Sequence, residues 1–259
     1  MKLYSIYEFP PSLEELEELI KLIDLSSSLP LEKLRVITSQ LYGKRMSRTN
    51  ILIKELVKLG LIEGRSVVNL TWEAQLYVDL NRKLDKLLLH NVYKINDLFE
   101  SCKLICKIDP KLKMTTSSLY KEILKYGYVE ENIRTVTEKL YAIKRLIKAV
   151  QRESVFNPFL EYEEYIEFLS VFKNEYLIHV GEYGKNASIT ILYEALKNYG
   201  YEKEKFKRNL ELLYSDPIFA TYTSFSTVNV DFAKNDYFQI KDESFYYIKI
   251  KKSFLKKEG

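Results

Sequence analysis

Residues 58–80 read KLGLIEGRSVVNLTWEAQLYVDL, and the order of residue types along this stretch decides the fold. Gly60 follows an amphipathic run, residues 47–59, and offers the left-handed conformation that ends a helix. Leu61 and Ile62 resume apolar character, residues 63–66 are polar and turn-like, and the run from Val67 to Leu70 is β-prone. A short hairpin is therefore predicted. Thr71 can cap a further helix over residues 72–89, whose Leu76, Leu80, Leu84, Leu87 and Leu88 fall on one face.

Upstream of this stretch the same kind of reading gives three helices. Residues 12–25 carry an apolar stripe at Leu16, Leu19, Ile20 and Ile23, with Ser12 placed to cap the start and acids in the first turn. Pro30 stops that helix, residues 31–41 form a second, and Gly43 supplies a sharp turn before a third that opens at Ser47. The order is helix, helix, glycine turn, helix, hairpin, helix.

On Leu59, Gly60, Leu61, Ile62, Leu70 and Thr71 the stretch resembles winged helix-turn-helix proteins. In that family the recognition helix ends in a leucine-glycine-leucine-isoleucine run, a wing follows, and leucine-threonine opens the next helix. The glycine often found a few residues into that helix is absent, with Ala74 and Gln75 in the region. The resemblance covers about residues 12–90. It implies a mainly α fold with small β wings, and a third helix that enters the major groove while the wing touches phosphate.

An internal repeat extends the pattern. Residues 119–141, LYKEILKYGYVEENIRTVTEKLY, align without a gap on residues 192–214, LYEALKNYGYEKEKFKRNLELLY, with nine of 23 positions identical. Both copies read helix, glycine turn (Gly127, Gly200), helix. After each, Leu146 to Val150 and Ile218 to Thr221 look strand-like and would begin wings. VNVDF, DYFQIK and FYYIKIK follow the later copy, with a hairpin turn at Asp242 to Ser244, so a small C-terminal sheet is expected. A helix over residues 160–179 should start the third unit. The expected organisation is three tandem winged helix-turn-helix modules, residues 1–90, 91–157 and 158–259, the last with extended hairpins. The tandem arrangement resembles winged-helix replication initiators of the licensing-protein type.

Bulk properties set limits. The chain has 259 residues, 46% of them apolar, enough for several small cores. Its net charge of +4 is no polycationic tail. Residues 31–90 nevertheless carry 11 Lys and Arg against 6 acids, and residues 91–155 carry 13 against 8. Acidic blocks, including Glu14 to Glu18 and Glu161 to Glu167, separate the basic ones. No long apolar run or basic-then-apolar leader is present, so the expectation is a cytoplasmic, nucleoid-associated protein without a membrane span. Abundant Lys, Glu, Ile and Tyr resemble the composition of heat-adapted microbes.

Candidate DNA-contacting residues are the outward positions of the turn-following helices. In the first module these are Lys44, Arg45, Ser47, Arg48, Asn50 and Lys54, with Arg65 at the wing tip. Arginine and asparagine can make two-point hydrogen bonds to guanine and adenine, whereas lysine mainly neutralises phosphate. In the second, Ile133, Val136, Leu140 and Ile143 are expected inside, leaving Asn132, Arg134, Thr135, Glu138 and Lys139 outward. In the third, Lys203, Lys205, Lys207 and Arg208 surround Phe206 and suit phosphate better than bases. Tyr126, Tyr141, Tyr199 and Tyr214 read as packing residues. Cys102 and Cys106 read as a buried pair on one helix face.

No phosphate-binding loop, dinucleotide turn, cofactor motif or metal-ligand spacing stands out. Asp231, Asp242, Glu243 and Lys249 could be imagined as a nuclease site, but their spacing is generic. The expected function is non-catalytic, sequence-specific binding of double-stranded DNA in transcription regulation or at a replication or partition site. The competing expectation is a scaffold that binds a protein partner, or a homodimer formed through helix 72–89.

Overall fold

The computed structural model describes residues 2–26, 28–43, 46–128, 131–151, 157–227, 238–240 and 243–252. The protein is mainly helical with small antiparallel sheets. It divides into two compact units, Met1–Tyr162 and Glu163–Gly259. The expected first and second modules thus belong to one unit.

Unit 1 opens with α1 (Leu13–Leu25), β1 (Leu29–Pro30), α2 (Leu31–Tyr42), α3 (Met46–Lys58), β2 (Ile62–Glu63) and β3 (Val67–Leu70). The local signals act as the sequence predicts. Ser12 Oγ accepts from the Glu15 N–H at 3.2 Å, a cap that stabilises a helix start by about 1 kcal/mol. Gly43 and Gly60 adopt φ 56° and 62°. The strands pair in the order β1-β3-β2, with Leu29 opposite Val68 and Ile62 opposite Leu70. Leu16, Leu19, Ile20, Leu34, Leu52, Leu56 and Leu61 fill the core.

The helix expected over residues 72–89 is broken into α4 (Trp72–Asp79) and α5 (Asp85–Lys94). Asn81 turns left-handed at φ 48°, and the Arg82 N–H reaches back to the Tyr77 carbonyl at 2.8 Å. The Glu17 carboxylate of α1 then accepts from the Leu84 N–H at 3.1 Å, which fixes the start of α5. Leu84, Leu87 and Leu88 are buried in the unit's own core while Leu80 is 52% exposed, so the single leucine face proposed for homodimerisation does not form.

Three helices follow, α6 (Asn96–Ile108), α7 (Thr116–Leu124) and α8 (Ile133–Gln151). Residues 146–150, expected as a wing strand, continue α8, and Leu146, Ile147, Ala149 and Val150 are all buried there. No strand occurs among the described residues of 91–157. Residues 2–10 form no regular element but bury Leu3, Ile6 and Phe9. Lys139 and Arg145 of α8 donate to the Leu3 and Phe9 carbonyls, each at 3.2 Å. Cys102 and Cys106 are buried on α6; burial pushes the Cys102 thiol far up and the Cys106 thiol up to about 12, with the Asp109 charge adding to the latter.

Helix α9 (Pro158–Val180) crosses the division. Its first turns belong to unit 1, with Phe159 edge-on to Phe99 at 5.7 Å and the Tyr162 hydroxyl 2.7 Å from His90 Nδ1. In unit 2 it is followed by β4 (Asn186–Ser188), α10 (Ile189–Lys197), α11 (Lys203–Ser215), α12 (Pro217–Ala220) and β5 (Thr223–Ser226), then β6 (Phe238–Ile240), β7 (Glu243–Phe245) and β8 (Tyr247–Ile250). Residues 218–221, expected as a strand, mostly form the turn α12, because Pro217 occupies its first position and Asp216 Oδ1 caps the Ile218 N–H at 2.9 Å. β6 pairs with β7, but Glu243 and Ser244, expected in the turn, lie in the second strand, and the later run pairs as β8 with β4 and β5; Asp242 and VNVDF lie outside the described residues.

The opening of unit 1 and unit 2 share one succession, helix, strand, helix, helix, strand and closing strand, into which unit 2 inserts α12 before β5 and the β6–β7 pair after it. The unit 2 sheet runs β4-β8-β5, so in both sheets the closing strand lies between the other two. The third helices, α3 and α11, each have 13 residues and begin three residues after a turn glycine, Gly43 and Gly200. Buried Leu52, Ile53 and Leu56 in unit 1 then answer buried Asn209, Leu210 and Leu213 in unit 2.

The internal repeat is structural up to its turn. Helices α7 and α10 begin and end at repeat-equivalent residues, capped by Thr115 and Ser188, and their turn glycines have φ 80° and 81°. Beyond the turn the copies part, since eight residues separate α7 from α8 and five separate α10 from α11. The buried set Val136, Lys139, Leu140 and Ile143 of α8 therefore answers Phe206, Asn209, Leu210 and Leu213, three residues out of the gapless alignment. Two expectations fall with that shift: Ile133 is 56% exposed, and Lys139 is 2% exposed.

Candidate nucleic-acid interface

A groove of about 440 Å³ opens in unit 1 between α3 and the β2–β3 turn. Leu31, Ile53, Val57 and Val68 provide apolar lining; Arg35, Asn50, Lys54, Lys58 and Arg65 provide the polar groups, and no Asp or Glu is among its lining residues. The wing turn rests on Gly64 at φ 108°, where a Cβ would stand 1.9 Å from the Val67 carbonyl oxygen. Only glycine permits that turn, and the turn sets Arg65 across from Lys54 on the groove wall.

The expected first-module residues fare differently from one another. Ser47, Lys54 and Arg65 are exposed, and Lys54 and Arg65 have no ion-pair partner among the described residues. Asn50 lines the groove but is half-buried, with its Oδ1 withdrawn from solvent and unpaired. Lys44 and Arg45 lie outside the described residues.

Arg48 does not project freely. Its Nη2 donates to Glu138 of α8 at 2.8 Å, and Nη1 stands 3.9 Å from Glu8. Arg145 approaches the same Glu8 at 3.3 Å, so two arginines and two carboxylates alternate around a recess of about 220 Å³. A guanidinium already satisfied by carboxylates must lose those bonds before it can read a base, which corrects the expectation of Arg48 as a free outward residue.

In α8, Asn132 and Arg134 are exposed and Thr135 half-buried, and Asn132 Oδ1 accepts from the Arg134 N–H at 3.0 Å, a helix-start cap. Lys139 is unavailable to any ligand: its ammonium lies inside, 2.8 Å from Glu131. In α11, Lys203, Lys205 and Arg208 are exposed and Lys207 half-buried, interleaved with exposed Glu202 and Glu204. Lys205 Nζ also approaches Glu164 at 4.0 Å and the Tyr201 ring at 5.2 Å.

Arg35 and Lys58 are groove residues that the sequence reading missed. Lys58 follows Asn50 and Lys54 at four-residue steps, a signal available in the sequence. Arg35 comes from α2, and only the tertiary fold brings it to the groove. Lys58 also donates to Glu55 at 3.2 Å and to the Ser5 carbonyl at 3.4 Å.

Three tyrosines expected to pack are instead exposed: Tyr126, Tyr141 and Tyr199, at 49%, 58% and 57%. Tyr126 lies 5.7 Å from the Lys107 ammonium, and the Tyr199 hydroxyl donates to Glu175 at 3.0 Å. Among the described residues no three His, Cys, Asp or Glu side chains gather as a metal site, and Asp231 and Asp242 lie outside them. No helix is long and apolar enough to cross a membrane among those residues. No protein-family model, curated protein or solved structure matches the chain.

Proposed function

We propose that the protein is a tandem winged helix-turn-helix protein that binds double-stranded DNA without catalysis, in transcription control or at a replication or partition site. The observation that carries the reading is the groove of unit 1, lined by no Asp or Glu. Lys54 and Arg65, without ion pairs among the described residues, converge there with Arg35 and Lys58, which pair with Glu32 and Glu55 at its margin. The shared element order and strand order of the two units are those expected of winged modules. Helix α3 enters the major groove, where Asn50 meets a base edge, and the wing lays Arg65 on the phosphate backbone.

Duplex binding measured across a salt series tests this. Three or four phosphate contacts give a slope of about −3 in log affinity against log salt. Library selection with the intact chain should return a shared sequence, and Asn50→Ala should blur it while Lys54→Ala weakens every sequence alike. Affinity independent of salt, or co-purification with a protein partner and no duplex shift, would favour the scaffold instead.

A further inference from the structure

The two units are alike in topology, yet their equivalent faces are finished differently. In unit 2 the chain between β5 and β8 carries the β6–β7 hairpin, and that hairpin lies along α11. Phe238 sits between Tyr193 and Phe206, with ring centroids 5.4 and 5.1 Å away. Phe245 packs on Tyr214 at 5.4 Å and on Phe225 of β5 at 5.3 Å. Ile240, between them, is fully buried.

Tyr193 is the fifth residue of α10, as Arg35 is of α2, and Tyr214 is the twelfth of α11, as the groove residue Val57 is of α3. The hairpin therefore occupies in unit 2 the counterpart of the face that unit 1 leaves open between its helix pair and wing. Burial of the three large apolar side chains Phe238, Ile240 and Phe245 holds it there.

Charge points the same way independently. Counting along the third helices from their first residues, Asn50, Ile53, Lys54, Val57 and Lys58 correspond to Lys207, Leu210, Glu211, Tyr214 and Ser215. Both groove lysines of α3 thus give way, Lys54 to the carboxylate Glu211 and Lys58 to Ser215, and the cation Arg35 gives way to Tyr193.

We propose that the duplex is held by unit 1 alone, and that the third-helix face of unit 2 is closed to nucleic acid by its own hairpin. This rests on the function proposed above and narrows it. Lys203, Lys205, Lys207 and Arg208 are then solvated surface charges rather than phosphate ligands.

The test compares the full-length protein with two charge variants, Lys54→Ala/Arg65→Ala and Lys203→Ala/Lys207→Ala/Arg208→Ala, on a random-sequence duplex at several salt concentrations. The unit 1 variant should lose at least tenfold in affinity and reduce the salt slope by about 2. The unit 2 variant should stay within about twofold of the parent with an unchanged slope. An equal or larger loss in the unit 2 variant overturns the inference and leaves duplex binding standing. Absence of binding by the parent protein overturns both, and circular dichroism of each variant confirms that affinity, not folding, is being compared.

Discussion

Lys139 and His90 show how single buried polar groups constrain unit 1. Lys139 Nζ donates to both Glu131 oxygens, at 2.8 and 3.0 Å, and to the Leu3 carbonyl, fastening the N-terminal segment to α8. Removing one partner of a buried pair leaves the other charge uncompensated, so Lys139→Ala should lower stability by about 3 kcal/mol, read as an earlier urea midpoint. A surface residue would show less than about 0.5 kcal/mol. His90 is kept neutral by burial, first of all, and by the nearby Lys94 charge, which together bring its pKa from 6.5 to about 3. The unfolded chain therefore takes up a proton that the folded chain refuses. Stability supplied by this group is complete above pH 6.5 and declines as pH falls toward 3, by about 2 kcal/mol between pH 7 and pH 5. Urea titrations of the parent and His90→Gln at both pH values isolate the effect: the parent should lose the larger amount, and equal losses would remove His90 as the cause.

Elements were legible where a single local signal decided them. Amphipathic helices such as α1, capped by Ser12, and α3, and the glycine-marked wing of unit 1, need only their own residues. The misread elements are those whose outcome depends on distant partners. Four of the five residues from Leu146 to Val150, all but Lys148, are apolar and buried because α8 is covered on more than one side, and so dense a run fits a strand equally well. The leucine stripe continues across Asn81, so only the Glu17 contact from α1 reveals the break between α4 and α5. A three-residue difference in turn length hid the orientation of α8, because the chance identities at Glu131 and Leu140 kept the repeat in gapless alignment. The candidate site was half legible for the same reason: Lys54 and Arg65 declare themselves locally, whereas Arg48 is withdrawn by Glu138, ninety residues away. Turn glycines give a direct test at this scale. Gly127→Ala meets no atom within 4 Å and should cost only the left-handed strain of about 1–2 kcal/mol. Gly64→Ala puts a Cβ against the Val67 carbonyl and must break the β2–β3 turn, so it should weaken duplex binding although it removes no charge. Duplex affinity unchanged in folded Gly64→Ala would separate the wing from the interface.

At the scale of the whole molecule, most of α9 lies in unit 2, where the sequence reading put it, but its start at Pro158–Tyr162 belongs to unit 1. Its glutamates and aromatics read as the start of a third module, yet its first turns complete unit 1. Phe159 is fully buried against Phe99, and Tyr162 closes over His90 and Tyr93, the latter at 5.5 Å between ring centroids. The sequence boundary at Asn157-Pro158 is thus a helix start and not a border between independent bodies. Phe159→Ala should cost about 3–5 kcal/mol, the price of a large core truncation, and the loss should appear in the unfolding of unit 1. Chain ends placed on either side of α9 sharpen the test. A fragment of residues 1–180 keeps both aromatic contacts and should retain the amide protection of α5 and α6. A fragment of residues 1–157 exposes Phe99 and Tyr93 and should lose that protection first, as hydrogen exchange followed residue by residue would reveal. Equal protection in the two fragments would place the border at residue 157 after all and return α9 entirely to unit 2.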